Sequence, residues 1–342
     1  PAFIWYGSQK GQNMERMAAG LDINGDGKDD FVAGGDDWDR QGQGGAGGFS
    51  VVFGLWHWND PKVDVICDPE FTYTGLLSGD RVASDITGIG DVNGDGCDDF
   101  AVGANGEDIG GSNRGSVRVF FGWGGDGCPA EPSYVYLSPM LNNAQAGISV
   151  DGGLDMDDDQ IPDLVVGGHN LTVNGNRVGA AWFISGAYIA SLPAEAVVDG
   201  AVPGEVHPFI PQEVTSGVWM ITGEVDDEEF GRAVAMVPDV FGSSRAGLAV
   251  GGPFGNQAGV LRSGGVGVYG LDPYPESDTY GLSSTPVAVF GGETQRASGR
   301  LGFRLDAGLM GDHPVVMVGG YEASGLGLDQ GAAYVVKLPI IP

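Results

Sequence analysis

One acidic pattern returns along this chain and constrains its fold more than any other feature. It reads LDINGDGKDDFVAGG from Leu21, GDVNGDGCDDFAVGA from Gly90 and GLDMDDDQIPDLVVGG from Gly153. Weaker copies follow as PDVFGSSRAGLAVGG from Pro238 and GLMGDHPVVMVGG from Gly308. Each copy ends in a short apolar run closed by small residues, such as Gly34-Gly35, Gly103-Ala104 or Gly167-Gly168. A short apolar run that stops at glycine suits a buried strand, because a helix needs roughly ten residues or more. Tandem units of this kind bury their apolar faces against their neighbours.

Each acidic segment leads to a Gly-rich loop and a second apolar strand: FSVVFG from Phe49, SVRVFFG from Ser116, AAWFIS from Ala180, VGVYG from Val266 and AAYVVKL from Ala332. A third strand follows as EFTYTG at Glu70, SYVYL at Ser133, GVWMITG at Gly217 and PVAVFGG at Pro286. A weaker strand precedes the acidic loop, as in Arg81 to Thr87 and Phe230 to Met236. Four short strands per repeat is the composition of a propeller blade. The expected fold class is therefore all-β, a single β-propeller of five four-stranded blades over residues 1–342. Blade cores fall at about 11–75, 76–138, 139–223, 224–291 and 292–342, with an insert at 188–216. The last repeat stops after its third strand at Lys337-Leu338. The N-terminal strand 2–7 is expected to complete that blade and close the ring. A chain cut from a larger propeller is the competing reading.

The composition agrees. Glycine supplies 63 of 342 residues with no three-residue period, which removes collagen and disfavours long helices. A hydrophobic share of 42% is enough for a core, so the acidity is not that of a disordered tail. The net charge of −30 argues against nucleic acid and against anionic membrane surfaces, and no apolar run approaches a membrane span. Cations are the natural partners. The start at Pro1, without a leader, is read as a processed, secreted chain or a trimmed one. Three cysteines, Cys67, Cys97 and Cys128, leave at least one unpaired within the chain; Cys97–Cys128 is the first choice for a disulfide, with Cys67–Cys97 behind it.

The acidic loops have the donor spacing of calcium sites. Loop one offers Asp22, Asn24, Asp26, the Lys28 carbonyl and Asp30. Loop two offers Asp91, Asn93, Asp95, the Cys97 carbonyl and Asp99. Loop three offers Asp155, Asp157, Asp159, the Ile161 carbonyl and Asp163. Oxygen donors at every second position wrap one hard cation, and Gly27 or Gly96 permits the turn that aims them inward. The all-oxygen set favours Ca²⁺ over zinc or copper. Two to three structural Ca²⁺ ions are expected. In loop three Gln160 stands where the other loops have glycine; only Asp239 survives in the fourth repeat and the fifth is shortened, so no ion is expected in those last two.

These loops, with Phe230-Gly231 and strand endings such as Val102-Gly103-Ala104, resemble the FG-GAP repeat family, whose members include the integrin alpha-chain head propeller and some fungal and bacterial lectins. The resemblance implies a calcium-binding propeller that meets its ligand on the face opposite the calcium loops. On that face Asp36, Asp37, Trp38, Asp39 and Arg40 combine an aromatic with polar groups and are the candidate ligand-binding residues, with 105–113, 169–176 and 321–329 at equivalent places. Trp56, His57, Trp58 and Trp123 could stack on a pyranose but fit better as packing, and Trp5, Trp182 and Trp219 read as core.

The expected function is a secreted, calcium-stabilised binding module for a glycan or extracellular protein. A self-assembling structural subunit is the alternative. No catalytic residues emerge: His57, His169, His207 and His313 are scattered, and the GVGVYG stretch at Gly265 lies in a strand with no helix after it. An enzyme acting on polysaccharide is a minor alternative.

Overall fold

Runs that are apolar at consecutive positions form strands whose two faces are both buried. Val165 packs toward Phe183, Phe230 and Val250, while its neighbours Leu164 and Val166 point the other way into a core with Val117, Leu137 and Trp182. Strand alternation sends successive side chains to opposite faces, so a continuous apolar run means a neighbour on each side. The computed structural model describes residues 13–54, 69–198, 203–209, 217–240, 245–255, 264–273, 280–282, 286–291, 300–320 and 332–338. The described residues are all-β apart from one short helix, Gly186–Ser191.

Among the described residues five main antiparallel sheets follow one another along the chain, besides two two-stranded ribbons. The first is Arg16–Leu21, Asp30–Gly35, Gly48–Val52 and Phe71–Thr74, hydrogen-bonded in that order. The second contains Val82–Gly90, Asp99–Ala104, Ser116–Phe121 and Ser133–Ser138. The third is Ala146–Gly152, Leu164–Gly168, Ala180–Ile184 and Val218–Thr222, and the fourth Ala233–Val237, Gly247–Gly252, Gly265–Tyr269 and Ala288–Gly291. The fifth has three strands, Leu301–Met310, His313–Gly320 and Ala332–Lys337. These elements fall inside the expected repeat units. The N-terminal strand expected at 2–7 lies outside the described residues, as do Trp5, Cys67 and the Trp56-His57-Trp58 group.

Each pair of successive sheets shares a core. Phe49, Tyr73, Phe100 and Phe120 join the first two, with Phe100 and Phe120 stacked at 5.2 Å. Val266 and Val268 meet Val316 and Val318 between the last two. Each such buried side chain contributes about 1.5–3 kcal/mol.

The backbones themselves also touch. Parallel bridges tie Gly47 to Val82, Gly115 to Ala146, Gly179 to Phe230 and Gly264 to Leu301, in each case from the entry of a third strand to the start of the next sheet. Beside them, Gly103, Gly167 and Gly251 of the second strands lie against Gly147, Gly231 and Gly302. The Phe230-Gly231 pair therefore marks a contact between sheets, and its counterpart at the second sheet is Val82-Ala83. Ala83 takes a φ of 65° there and Gly231 one of 80°.

Side chains of one first strand also accept backbone N–H groups of the next. Asp85 accepts from Val150 (3.0 Å), Ser149 from Val234 (3.2 Å) and Asp151 from Met236 (2.7 Å). This satisfies donors on the inner edge of each sheet, which would otherwise be buried unpaired.

The insert is more structured than its composition suggested. Gly186–Ser191 forms the helix, and Glu195–Ala196 and His207–Pro208 both pair with the outer strand Ser133–Ser138, covering the edge of the second sheet. Its Pro and Ala content hid two two-residue strands, which carry too little periodicity to read.

Two predictions follow from these contacts. A Cβ at Gly231 would sit 1.9 Å from the Ala180 carbonyl oxygen, whereas one at Gly308 would meet nothing within 4 Å. In urea denaturation Gly231→Ala should lose about 3 kcal/mol and Gly308→Ala less than about 0.5 kcal/mol. Burial pushes the Asp151 carboxyl up to about 6 from 3.8. The folded state thus binds the proton more tightly than the unfolded chain, and stability should fall as pH rises through that interval, by up to ~3 kcal/mol from this residue. Asp151→Asn should flatten the decline between pH 4 and 7 in calcium-free buffer.

Candidate metal centres

The acidic loops connect the first and second strands of the first three sheets, and their carboxylates organise the turns before any ion is considered. Asp22 accepts from the N–H groups of Asp26 and Gly27, each at 2.9 Å. Asp91 does the same for Gly94, Asp95 and Gly96 at 2.8, 3.0 and 2.9 Å. Asp155 accepts from Asp158 and Gln160 at 2.6 and 2.8 Å. Asn24 and Asn93 accept from the residue two further on, as do Asp26, Asp95 and Asp159. These short-range bonds close Asx-type turns.

Gly27 and Gly96 take φ values of 78° and 88°, and Gln160 holds the same left-handed conformation at 71°. Loop three therefore copies the other two despite lacking the glycine. A non-glycine residue there costs about 1–2 kcal/mol.

The ninth-position aspartates have a second task that spacing did not disclose. Asp30 accepts from Ile23 at 2.8 Å and Gly54 at 2.5 Å; Asp99 from Val92 and Gly122, both at 2.9 Å; Asp163 from Met156 at 2.7 Å and Gly186 at 2.9 Å. Each carboxylate clamps the start of its own loop to the end of the third strand. Asp30, Asp99 and Asp163 are 1%, 0% and 0% exposed. Each oxygen keeps another lone pair for a cation.

Electrostatically, these sites are short of positive charge. Burial pushes Asp99 and Asp163 up to about 8, and Asp30 up to about 6. Asp157 is raised to about 6, first by burial and then by the charge of Asp159. Carboxylate oxygens of Asp155, Asp157 and Asp159 lie within 4.8 Å of one another, and one oxygen of Asp157 is buried without a hydrogen-bond partner among the described residues. Crowded, desolvated and partly unpartnered oxygens suit a hard divalent cation. In loop one the Lys28 ammonium pairs with Asp26.

The loops are also joined. Asp98 accepts from the Asp22 N–H at 2.8 Å, its own N–H reaches the Asp22 carbonyl at 2.9 Å, and the Trp123 N–H reaches Ile23 at 3.0 Å. A disulfide links Cys97 of loop two to Cys128, and Gly25 of loop one lies against it.

On the opposite ends of the strands, the candidate ligand face is altered. Trp38 is 1% exposed, and its indole N–H donates to the Asn13 carbonyl at 2.8 Å. Its ring covers Gly48, so it cannot stack on a ligand; it is a packing residue. Asp37 and Asp39 are exposed, while Asp36 and Arg40 are half-buried, with Arg40 donating to the Thr74 hydroxyl at 2.8 Å. Trp123 packs on Phe53 and Phe71, and Trp182 is core. In the 105–113 loop, Glu107 is buried in an ion pair with Arg118 at 2.6 Å, and Arg118 lies between the rings of Tyr73 and Tyr136. His169 is buried in the turn after Leu164–Gly168, and His207 is buried in the short strand on the second sheet.

The clamp and the cation seat should separate on mutation. Without calcium, Asp99→Ala should cost about 2–4 kcal/mol in denaturant, since two buried N–H groups lose their acceptor. Asp95→Ala should cost less than about 1 kcal/mol there yet abolish the rise in melting temperature on adding millimolar Ca²⁺.

The FG-GAP repeat profile matches residues 85–120, spanning loop two and its flanking strands. Integrin alpha-IIb of Mus musculus is 32% identical over 179 residues, covering 50% of this chain and 16% of that protein. The Homo sapiens integrin alpha-IIb is 32% identical over 170 residues, with 48% and 15% covered. Drosophila melanogaster integrin alpha-PS2 is 33% identical over 173 residues, with 48% and 12% covered. The chain thus spans about a sixth or less of the length of these relatives. Residues 85–120 thus carry an FG-GAP repeat, and about half of the chain is similar to integrin alpha chains.

Proposed function

We propose that the protein is an extracellular adhesion-type module: a five-bladed, calcium-stabilised propeller that holds a protein or glycan ligand on the face opposite its acidic loops. The observation that carries this reading is the threefold recurrence of one oxygen-lined loop, in register between first and second strands, in a chain related to integrin alpha chains. Loops one to three would hold Ca²⁺ through Asp22, Asn24, Asp26, the Lys28 carbonyl and Asp30, and through their counterparts at 91–99 and 155–163. The ion would neutralise carboxylates that burial and mutual repulsion now hold toward their protonated forms.

Ring closure is supported by charge as well as by repeat number. Arg304 on the fifth sheet lies within electrostatic reach of Arg16 and Asp36 of the first sheet, of Asp85 on the second and of Arg232 at the fourth. This is the arrangement that a closed series would give. Among the described residues no helix is long and apolar enough to cross a membrane.

The test is binding of labelled protein to a glycan array and to immobilised extracellular-matrix proteins, in millimolar Ca²⁺ and in EGTA. Calcium-dependent binding to a defined ligand is expected. Silence in both arms, with monomer converting to large particles in Ca²⁺ by sedimentation, would replace the adhesion reading with the assembly one.

A further inference from the structure

The chain carries 46 acidic and 16 basic residues, yet several arginines gather in one place. Arg16 opens the first strand of the first sheet, and Arg81 directly precedes that of the second. Arg232 directly precedes that of the fourth, and Arg304 lies within that of the fifth. Arg177 ends the small ribbon that follows the second strand of the third sheet. All five stand toward the leading ends of the first strands, whereas the acidic loops begin at the trailing ends. Five or six extended residues, about 20 Å, separate the two levels.

Their mutual proximity is visible in their surroundings. Arg177 and Arg232 share Glu229, at 3.9 and 3.4 Å, the charges of Arg81, Arg177 and Arg232 all act on His169, and those of Arg16 and Arg232 act on Arg304. Burial and this crowding lower the Arg232 and Arg304 guanidinium values. Carboxylates offset part of the charge: Asp85 lies 3.6 Å from Arg16, Glu229 3.4 Å from Arg232, and Asp227 2.7 Å from Arg177. Burial holds Asp85 and Glu229 toward their neutral forms, which weakens that offset. The Arg81 and Arg304 guanidinia make no hydrogen bond or ion pair among the described residues.

Two further groups point to something missing. His169 is 8% exposed and its Nδ1 has no partner among the described residues. Asn105 holds the same position after the second strand of its sheet, is 1% exposed, and has neither amide atom paired. Buried polar atoms without partners are uncommon and mark a site for water or a ligand. Arg232 is also braced for recognition, its guanidinium lying over the Phe303 ring at 4.7 Å.

We propose that Arg81, Arg177 and Arg232 around His169, with Arg304 beside Arg232, form an anion site that takes a compact tetrahedral oxyanion, a sulfate or phosphate group. Planar guanidinium forks donate in pairs to such oxygens. In a molecule of net charge −30, one positive centre also selects where an acidic ligand can land. The site goes beyond the adhesion reading and does not depend on it, because neither calcium nor the acidic loops take part.

The experiment is isothermal titration of the full chain with inorganic sulfate and, separately, inorganic phosphate, at constant ionic strength against chloride, both in EGTA and in Ca²⁺. One saturable site is expected in both media. Arg81→Gln and Arg232→Gln should each weaken it at least tenfold, while Arg245→Gln, placed near Asp158 in another region, should leave it unchanged. Because Arg81 is exposed, its variant should keep the fold, checked by near-ultraviolet circular dichroism. Binding to sulfate alone or to phosphate alone would identify which group the site selects. Heats no larger than chloride gives, or equal affinity in all variants, would overturn the proposal. A chain that adheres through calcium but ignores sulfate would overturn this site alone.

Discussion

Backbone-to-backbone contact between successive sheets is the constraint on which the rest of the protein rests. Gly231 against Ala180 and Gly167, and Gly147 against Ser116 and Gly103, leave no room for a Cβ. At such a distance the sheets cannot slide, because any shift would separate hydrogen-bonded groups that have no water to replace them. The same closeness brings the aromatic and aliphatic faces together between sheets. Glycine content that would weaken a helix is here the condition for stacking.

On that frame, the acidic loops are fastened at both ends. The ninth-position aspartate ties each loop to the end of a third strand through two backbone N–H groups, and the remaining carboxylates are left crowded above it. The protein thus holds desolvated negative charge in rigid turns. Such an arrangement is unfavourable alone, and a divalent cation in it would link occupancy and stability by mass action. The Cys97–Cys128 bridge and the Asp22–Asp98 bonds would spread that linkage across two adjacent loops.

At the other end of the same strands arginines stand among the carboxylates. Asp85, Ser149 and Asp151 pass hydrogen bonds from one first strand to the next, and arginines from four sheets and one ribbon converge beyond them. The acidic loops recur because the motif recurs, whereas these arginines come from positions that differ in every copy.

Much of this was legible in the residues. The spacing of Asp22, Asn24, Asp26 and Asp30 located the loops, consecutive apolar residues such as Leu164, Val165 and Val166 marked strands buried on both faces, and the unequal repeat length placed the insert. These features are local: oxygen donors two residues apart and a strand's alternation depend only on neighbours in sequence. The structure alone decided the rest. Trp38 looked like a recognition residue from its polar neighbours, but a distant carbonyl at Asn13 and the bare backbone of Gly48 bury it. Val82-Ala83 could not be matched to Phe230-Gly231 until both were seen making the same contact. The gathering of Arg81, Arg177, Arg232 and Arg304 has no sequence signal, because residues more than two hundred positions apart meet only when the sheets stack. Local chemistry was written in the repeat, and proximity between repeats was decided by packing.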